Sequence, residues 1–509
     1  MRLLTATLAM VFSGCFSLKP GSDTADLAVV VDGGSDLACL DPTGFGGKGC
    51  YSCTPTTREQ LLNACTKSTC IPYDNSTLGL VGGILPQLPT LDFAVAPPPD
   101  LGSSDLAGST PADLASSSPA CSSLTGGNIV YATGSSAAGL FLGNIAQPLE
   151  NAAPALTVIY QSQGSCIGVN AIVTGSTTKM TGSATYWDPN TAVDPSSAAA
   201  QLKCQLDPAG VTADIGLSDV FATTCLNLPG GLDPSIKDFF GPVQVMNLIV
   251  PQNSTAQNIS AEATYLLYGF GAYQNVVAPW TDPNQIFQRN GSSGTQNMIG
   301  ATIGVPATHW YGIQTSGSSA IRQDVINAGS MGQDIANKTI GILSADGADP
   351  FRANLHVLAF QDRDQLCAFF PDSTPMALDK ANVRDGHFAN FGPLHMLAHV
   401  NGGVPVSANA ATLLDAITGV APPPGVDIID LYAKHSLIPQ CAMRVSRDAD
   451  GGAIKPFMPS SSCSCYYTER ATGLMPPPGC KTCSTQSDCP AATPNCNKFA
   501  ARTTGYCEP

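Results

Sequence analysis

Three stretches of this 509-residue chain place glycine and serine directly ahead of a segment of helical length. They are Gly134-Ser135-Ser136 before 137–149, Gly164-Ser165 before 167–173, and Ser292-Ser293-Gly294-Thr295 before 296–303. A serine hydroxyl satisfies an orphan N–H of a first helical turn, and glycine lets the backbone approach a guest closely. A helix N-terminus presents free N–H donors and a partial positive charge, so several that meet make an anion site. Arg289 stands four residues before Ser293, and a guanidinium fork suits the edge of a tetrahedral oxyanion. Asp219, in Ile215-Gly-Leu-Ser-Asp219, fits beside an anion only if that anion carries a proton, because a carboxylate can only accept. Hydrogen phosphate has such a proton; sulfate at neutral pH does not. Each feature alone is explained by a capped helix or a surface ion pair, so the chemistry lies in their combination.

Such a combination needs elements to position it. Short apolar runs at 243–250, 339–343 and 355–360 read as buried strands, and they alternate with Ala- and Gly-rich stretches of helical length at 137–149 and 295–303. Alternating strands and helices imply an α/β layout with a largely parallel sheet. From Cys121 to about residue 447 the chain exceeds what one hydrophobic core usually serves, so two lobes are expected.

The flanks read differently. Arg2, a mostly apolar stretch at 3–12 and then Ser13-Gly14-Cys15 form an export signal too short to span a bilayer. The cysteine after Phe12-Ser13-Gly14 resembles a lipobox, which implies acylation at Cys15; an ordinary cleaved signal is the alternative. Phe16 after Cys15 resembles lipoproteins sent on to the outer membrane. Setting Cys15 aside leaves eighteen of the 19 cysteines, an even number that in an exported chain argues for disulfides. The front group (Cys39, Cys50, Cys53, Cys65, Cys70) and the tail group (Cys463, Cys465, Cys480, Cys483, Cys489, Cys496, Cys507) are both odd, which suggests a front-to-tail bridge. Cys50-x-x-Cys53 and Cys480-x-x-Cys483 have zinc-knuckle spacing, but disulfides are the expected use.

Residues 76–120 carry Pro97-Pro98-Pro99, Ser116-Ser117-Ser118-Pro119 and repeated Asp-Leu-Ala triplets without Lys or Arg, the composition of an extended acidic spacer. Charged residues make up 12%, with a formal net charge of −15. No basic face for nucleic acid is visible. An anion site here must act through local dipoles, within a Debye length of about 8 Å, because the overall charge repels its guest.

Five pieces in order resemble the motifs of the phosphate-binding proteins of ABC transporters: Tyr131-Ala-Thr-Gly-Ser-Ser136, Tyr160-Gln-Ser-Gln-Gly-Ser165, Ile215-Gly-Leu-Ser-Asp219, Trp280-Thr-Asp-Pro with Arg289-Asn-Gly-Ser-Ser-Gly-Thr295, and Ile340-Gly-Ile-Leu343. The strand at 243–251 is similar to that family's crossover, and the resemblance runs over residues 128–445. It implies a two-lobed periplasmic binding protein fold of type 2 with a hinge crossover, inorganic phosphate as ligand, permease subunits of an ABC transporter as partners, no cofactor and no enzymatic activity. Residue by residue it implies that Ser136, Ala137 and Ser165 contact phosphate, that Asp219 accepts its proton, that Arg289 clamps it, and that Ser293, Gly294 and Thr295 close the cradle. Two positions depart from the pattern: Gly291 stands where the family often has an acid, and Ala137 where it often has an aromatic.

The expected organisation is a lipoprotein signal at 1–15, a tether and cysteine-rich module at 16–75, the spacer at 76–120, the two-lobed domain at 121–447 and a cysteine-rich module at 448–509. His395-Met-Leu-Ala-His399 has the i, i+4 spacing of a zinc pair on a helix, yet it lacks a third ligand and reads as structural. Neither Gly-x-Ser-x-Gly nor a Walker loop occurs at the three serine sites, so nothing requires a hydrolase. A surface lipoprotein that kept the binding fold without transport is the competing expectation.

Overall fold

The computed structural model describes residues 39–89, 118–124, 128–174, 177–272, 277–315 and 317–509. Cys15 and the signal segment lie outside the described residues, as does 90–117.

One lobe opens with β1 (Ile129–Gly134), α1 (Ala138–Glu150), β2 (Thr157–Ser162) and α2 (Ser165–Val173). It continues through β3 (Ser183–Trp187), β4 (Gln201–Gln205) and β5 (Ile215–Ser218). The 16-residue β6 (Ile236–Pro251) then leads into the second lobe. There lie α3 (Ala261–Phe270), α4 (Gly294–Ile303), α5 (Ser318–Ser330), β7 (Gly341–Ser344), the single turn α6 (Ala345–Ala348) and β8 (Leu355–Val357). Strand β9 (Phe391–Asn401) returns the chain to the first lobe, where α7 (Ala408–Thr418) and α8 (Ile428–Lys434) close it.

The sheet order is β7-β6-β9-β5-β1-β2-β3-β4. β1 runs parallel to β2 and β5, and the remaining pairs on this path are antiparallel. The expectation of a largely parallel sheet is therefore corrected. β6 leaves the first lobe and β9 comes back beside it, which forces opposite directions, and β3 and β4 pair antiparallel as neighbours in the chain. β6 and β9 pair twice, Ile236 to Phe240 against His399 to His395 and Val243 to Val245 against Pro393 to Phe391, with the register slipping between Pro393 and His395. Proline cannot donate to a ladder, so a slip beside it is where a crossover bends. These two strands join the lobes, and the architecture is the two-lobed α/β fold with a strand crossover.

In the first lobe, Phe141, Leu142 and Ile145 of α1 pack with Leu413 and Leu414 of α7. Val169 and Ile172 of α2 pack with Ile159 and Leu397 in a separate cluster. The second lobe buries Val245, Leu248, Met298, Ile321 and Ile342 in one cluster. That cluster also takes in Leu61, Leu62 and Leu78 from the front of the chain and Tyr466, Tyr467 and Tyr506 from its tail. Both cysteine-rich pieces thus pack on this cluster, the tail also reaching α8 of the first lobe through Tyr466 to Asp427 and Arg470 to Asp430, and they do not depend on bridges alone.

The nine disulfides follow the same plan. Cys39–Cys53 and Cys50–Cys65 are internal to the front piece, and Cys465–Cys480, Cys483–Cys496 and Cys489–Cys507 to the tail. Cys121–Cys204 and Cys166–Cys225 staple the first lobe, while Cys70–Cys367 and Cys441–Cys463 tie each end piece to the body between them. The expected front-to-tail bridge does not form, because each odd cysteine finds its partner in the part of the chain its piece packs against.

Two further expectations change. Residues 76–89 are packed, not extended: Leu78 is buried and Tyr265 donates from its hydroxyl to the Pro86 carbonyl at 2.6 Å. His395 and His399 lie on β9, not on a helix. At about 3.3 Å of rise per strand residue they stand roughly 13 Å apart, too far to share a metal. His395 is buried with Nδ1 2.7 Å from Asp238, and both zinc-knuckle pairs are oxidised. No helix among the described residues is long and apolar enough to cross a membrane.

Candidate functional site: the cleft around Asp219

Four segments deliver the site, and each ends an element at the boundary between the lobes. β1 runs into the turn 135–137 ahead of α1, β2 into Gly164 ahead of α2, and β5 into Asp219. From the other lobe, α4 begins at Gly294 with Ser293 as its N-cap. The parallel pairing of β1 with β2 and β5 lines up the three strand ends of the first lobe, the place where open α/β sheets bind ligands.

Asp219 is 3% exposed and sits at the centre. Ser135 donates from its hydroxyl to one carboxylate oxygen and Ser165 to the other at 3.1 Å. The Asp219 N–H donates back to the Ser165 hydroxyl at 3.1 Å. Burial pushes the Asp219 carboxyl up, against the two serines, Gln244 and the Arg289 charge, which pull it down. Buried Arg289 donates from Nη1 to the Ser318 hydroxyl at 2.6 Å, while its Nε has no partner among the described residues. Burial lowers its pKa and the charge of Asp219 opposes that.

Gly294 explains how the lobes come this close. A Cβ there would stand 2.3 Å from the Ser165 Oγ and 2.5 Å from an Asp219 carboxylate oxygen, so only glycine fits. At the rim, the Cys166 N–H donates to the Ser292 carbonyl at 3.2 Å across the lobes. Gly164, with φ +106°, lies against Ser292 in the same contact. The cleft is closed.

Of the residues expected from the sequence, Ser165, Asp219, Arg289 and Gly294 converge directly. Ser293 and Thr295 are buried at the start of α4, where first-turn N–H groups lack intrahelical acceptors. In the first loop it is Ser135, not Ser136, that reaches the carboxylate; Ser136 is half-buried in the same turn. The Ala137 N–H is turned back onto the Ser135 hydroxyl at 3.2 Å. Gly291 stands two residues after Arg289, no carboxylate pairs with the guanidinium among the described residues, and its Nη1 is taken by Ser318.

Three members were not singled out from the sequence. Ser318 follows Gly317 at the start of α5, a fourth case of the Gly-Ser signal. Gln244 is a polar residue inside the apolar run of β6; it is 1% exposed, and its amide lies near enough to Asp219 to help hold that carboxyl down. Asp346 had no signal beyond its position just after a strand.

No protein-family model matches this chain, and no curated protein matches it. The solved structures it is similar to include the following three. One is assigned as a phosphate ABC transporter substrate-binding protein, with bound phosphate, from Clostridium perfringens, at 15% identity over 61% of this chain and 99% of that one, TM-score 0.41. Another is an ABC-type phosphate transport receptor from Vibrio cholerae, at 13% identity over 61% and 99%, TM-score 0.39. The third is a possible phosphate binding protein from Planctomyces limnophilus, at 11% identity over 61% and 93%, TM-score 0.36. Such scores fix neither ligand nor role.

Proposed function

We propose that this chain is an exported binding protein, acylated at Cys15 and held at the outer membrane or cell surface, that captures a protonated tetrahedral oxyanion, inorganic phosphate first, for an ABC permease or a sensor. The observation that carries this reading is the buried Asp219 carboxylate set beside Arg289 and the N-terminus of α4. The guanidinium and the helix start attract an anion, and the carboxylate admits only one that brings a proton. A helix N-terminus contributes about 0.3–1 kcal/mol and a charge-assisted hydrogen bond about 1.5–3. A micromolar complex needs about 8 kcal/mol, which these donors reach only in a closed, dry cleft.

Calorimetry with phosphate, arsenate and sulfate tests it. The expectation is micromolar or tighter binding of the first two and none of sulfate; folded protein that gives no heat with any of them ends this reading. A second reading, a surface lipoprotein that kept the fold without its ligand, is favoured by one observation. Ser135 and Ser165 already donate to both Asp219 oxygens, and the lobes touch directly through Cys166 and Ser292.

A further inference from the structure

Asp346 is a second buried carboxylate, on the second lobe and close enough to Asp219 for the two charges to repel. It is 8% exposed and sits in α6, directly after Ser344, which pairs with Met246 on β6. Gln244 lies two residues back along β6, on the same face of the pleat, and reaches toward Asp219 with an otherwise unpartnered amide. On the other side, α6 packs against α5, the helix whose Ser318 holds Arg289. Arg322, one turn further along α5, attracts Asp346, and the charge of Asp219 repels it. No ion pair to Asp346 forms among the described residues, and the Ser344 hydroxyl and the first N–H groups of α6 only partly offset the effect of burial on its carboxyl. An ionised, unpaired carboxylate in such a place is strongly disfavoured, so a proton is the natural partner.

We propose, on the oxyanion reading above, that Asp346 is a specificity-determining acid of this cleft, and that the bound anion and Asp346 together hold one proton more than the anion brings. Asp219 reads the proton of hydrogen phosphate; the additional proton comes from solvent and lies between the anion and Asp346. Whether it is written on Asp346 as a donor or on the anion as dihydrogen phosphate, the proton count is the same. Burial, then the Asp219 charge, raises the Asp346 carboxyl to about 7, so it can take a proton at neutral pH. The groups around it agree. Arg322 on α5 is the attracting cation; Asp349 in the next turn is already neutralised by Lys380 and Arg352. His356 on β8 is turned to the Ala256 carbonyl and held neutral by burial, and β7 and the adjoining part of β6 carry no charge.

The test is calorimetry of phosphate with the whole protein at pH 8, repeated in buffers of different ionisation heat to count protons. The wild type is expected to take up about one proton per phosphate, and its affinity for the dianion to fall about tenfold per pH unit above the Asp346 pKa. Asp346→Asn is expected to bind with uptake near zero and a flat pH profile between 7 and 9. Wild-type binding without proton uptake overturns the inference whatever the variant does, as does uptake that survives in Asp346→Asn; both leave the oxyanion reading standing. No phosphate binding at any pH overturns both.

Discussion

Asp450 accepts a hydrogen bond from the Thr224 hydroxyl at 2.6 Å, tying the segment that leads to the C-terminal module to the lobe that carries Asp219. The Phe221 N–H donates to the same oxygen at 2.9 Å. One residue on, a Cβ at Gly451 would meet the Ala301 carbonyl of α4 at 2.4 Å, so the segment touches both lobes. The segment thereby bridges the two lobes. Thr224→Val removes the hydroxyl and leaves the buried carboxylate with one donor fewer on that oxygen. We expect a loss of about 1 kcal/mol, read as a lower urea midpoint, and faster phosphate release by stopped flow.

Arg289→Ala separates binding from folding. Burying the guanidinium with Nε unpartnered costs free energy, so its removal should leave Tm unchanged or slightly raised. Phosphate affinity should fall at least tenfold to a hundredfold, the range of one or two charge-assisted bonds. A large fall in Tm instead would make Arg289 a structural residue.

Asp219→Asn supplies an N–H where only acceptors stood. Phosphate should weaken and sulfate should begin to bind, measured as a change in their Kd ratio. An unchanged ratio would show that Asp219 does not read the ligand proton.

Gly294→Ala tests closure. The added methyl cannot fit against Ser165 and Asp219 while the lobes meet, so the cleft must stay partly open. We expect weakened phosphate binding and a larger radius by small-angle scattering, with the cores of both lobes intact.

Asp346 also sets a pH dependence of stability. Its carboxyl is raised from 3.8 to about 7, so the folded state holds this proton more tightly than the unfolded state. Its contribution is unaffected below about pH 4 and becomes destabilising as pH rises toward about 7, on the order of 1.4 kcal/mol per unit. The wild type should lose urea stability across that window, and Asp346→Asn should lose markedly less.

Much of the site was legible because its signals are local. Gly164-Ser165 and Ser293-Gly294 announce helix starts by their own chemistry, and α2 and α4 begin at Ser165 and Gly294. The run at 243–250 is apolar enough to mark β6, although its length and its pairing with β9 were not. The histidines at 395 and 399 read as structural from the start, but their spacing could not tell helix from strand, because four residues is one helical turn and also two strand repeats; only the neighbours in the sheet distinguish these.

The sequence by itself determined the two-lobed α/β class, the chain order of the helix starts and the types of group available to meet an anion. Tertiary structure alone decided that Ser135 and not Ser136 faces Asp219, that Ser318 holds Arg289, that Asp346 comes near Asp219, and which cysteines pair. The reason is distance along the chain. A cap or a turn is settled within a few residues by backbone geometry, whereas Ser135 and Asp219 are 84 residues apart and Cys70 and Cys367 are 297 apart. What brings such residues together is strand order and core packing, and these are properties of the whole chain at once.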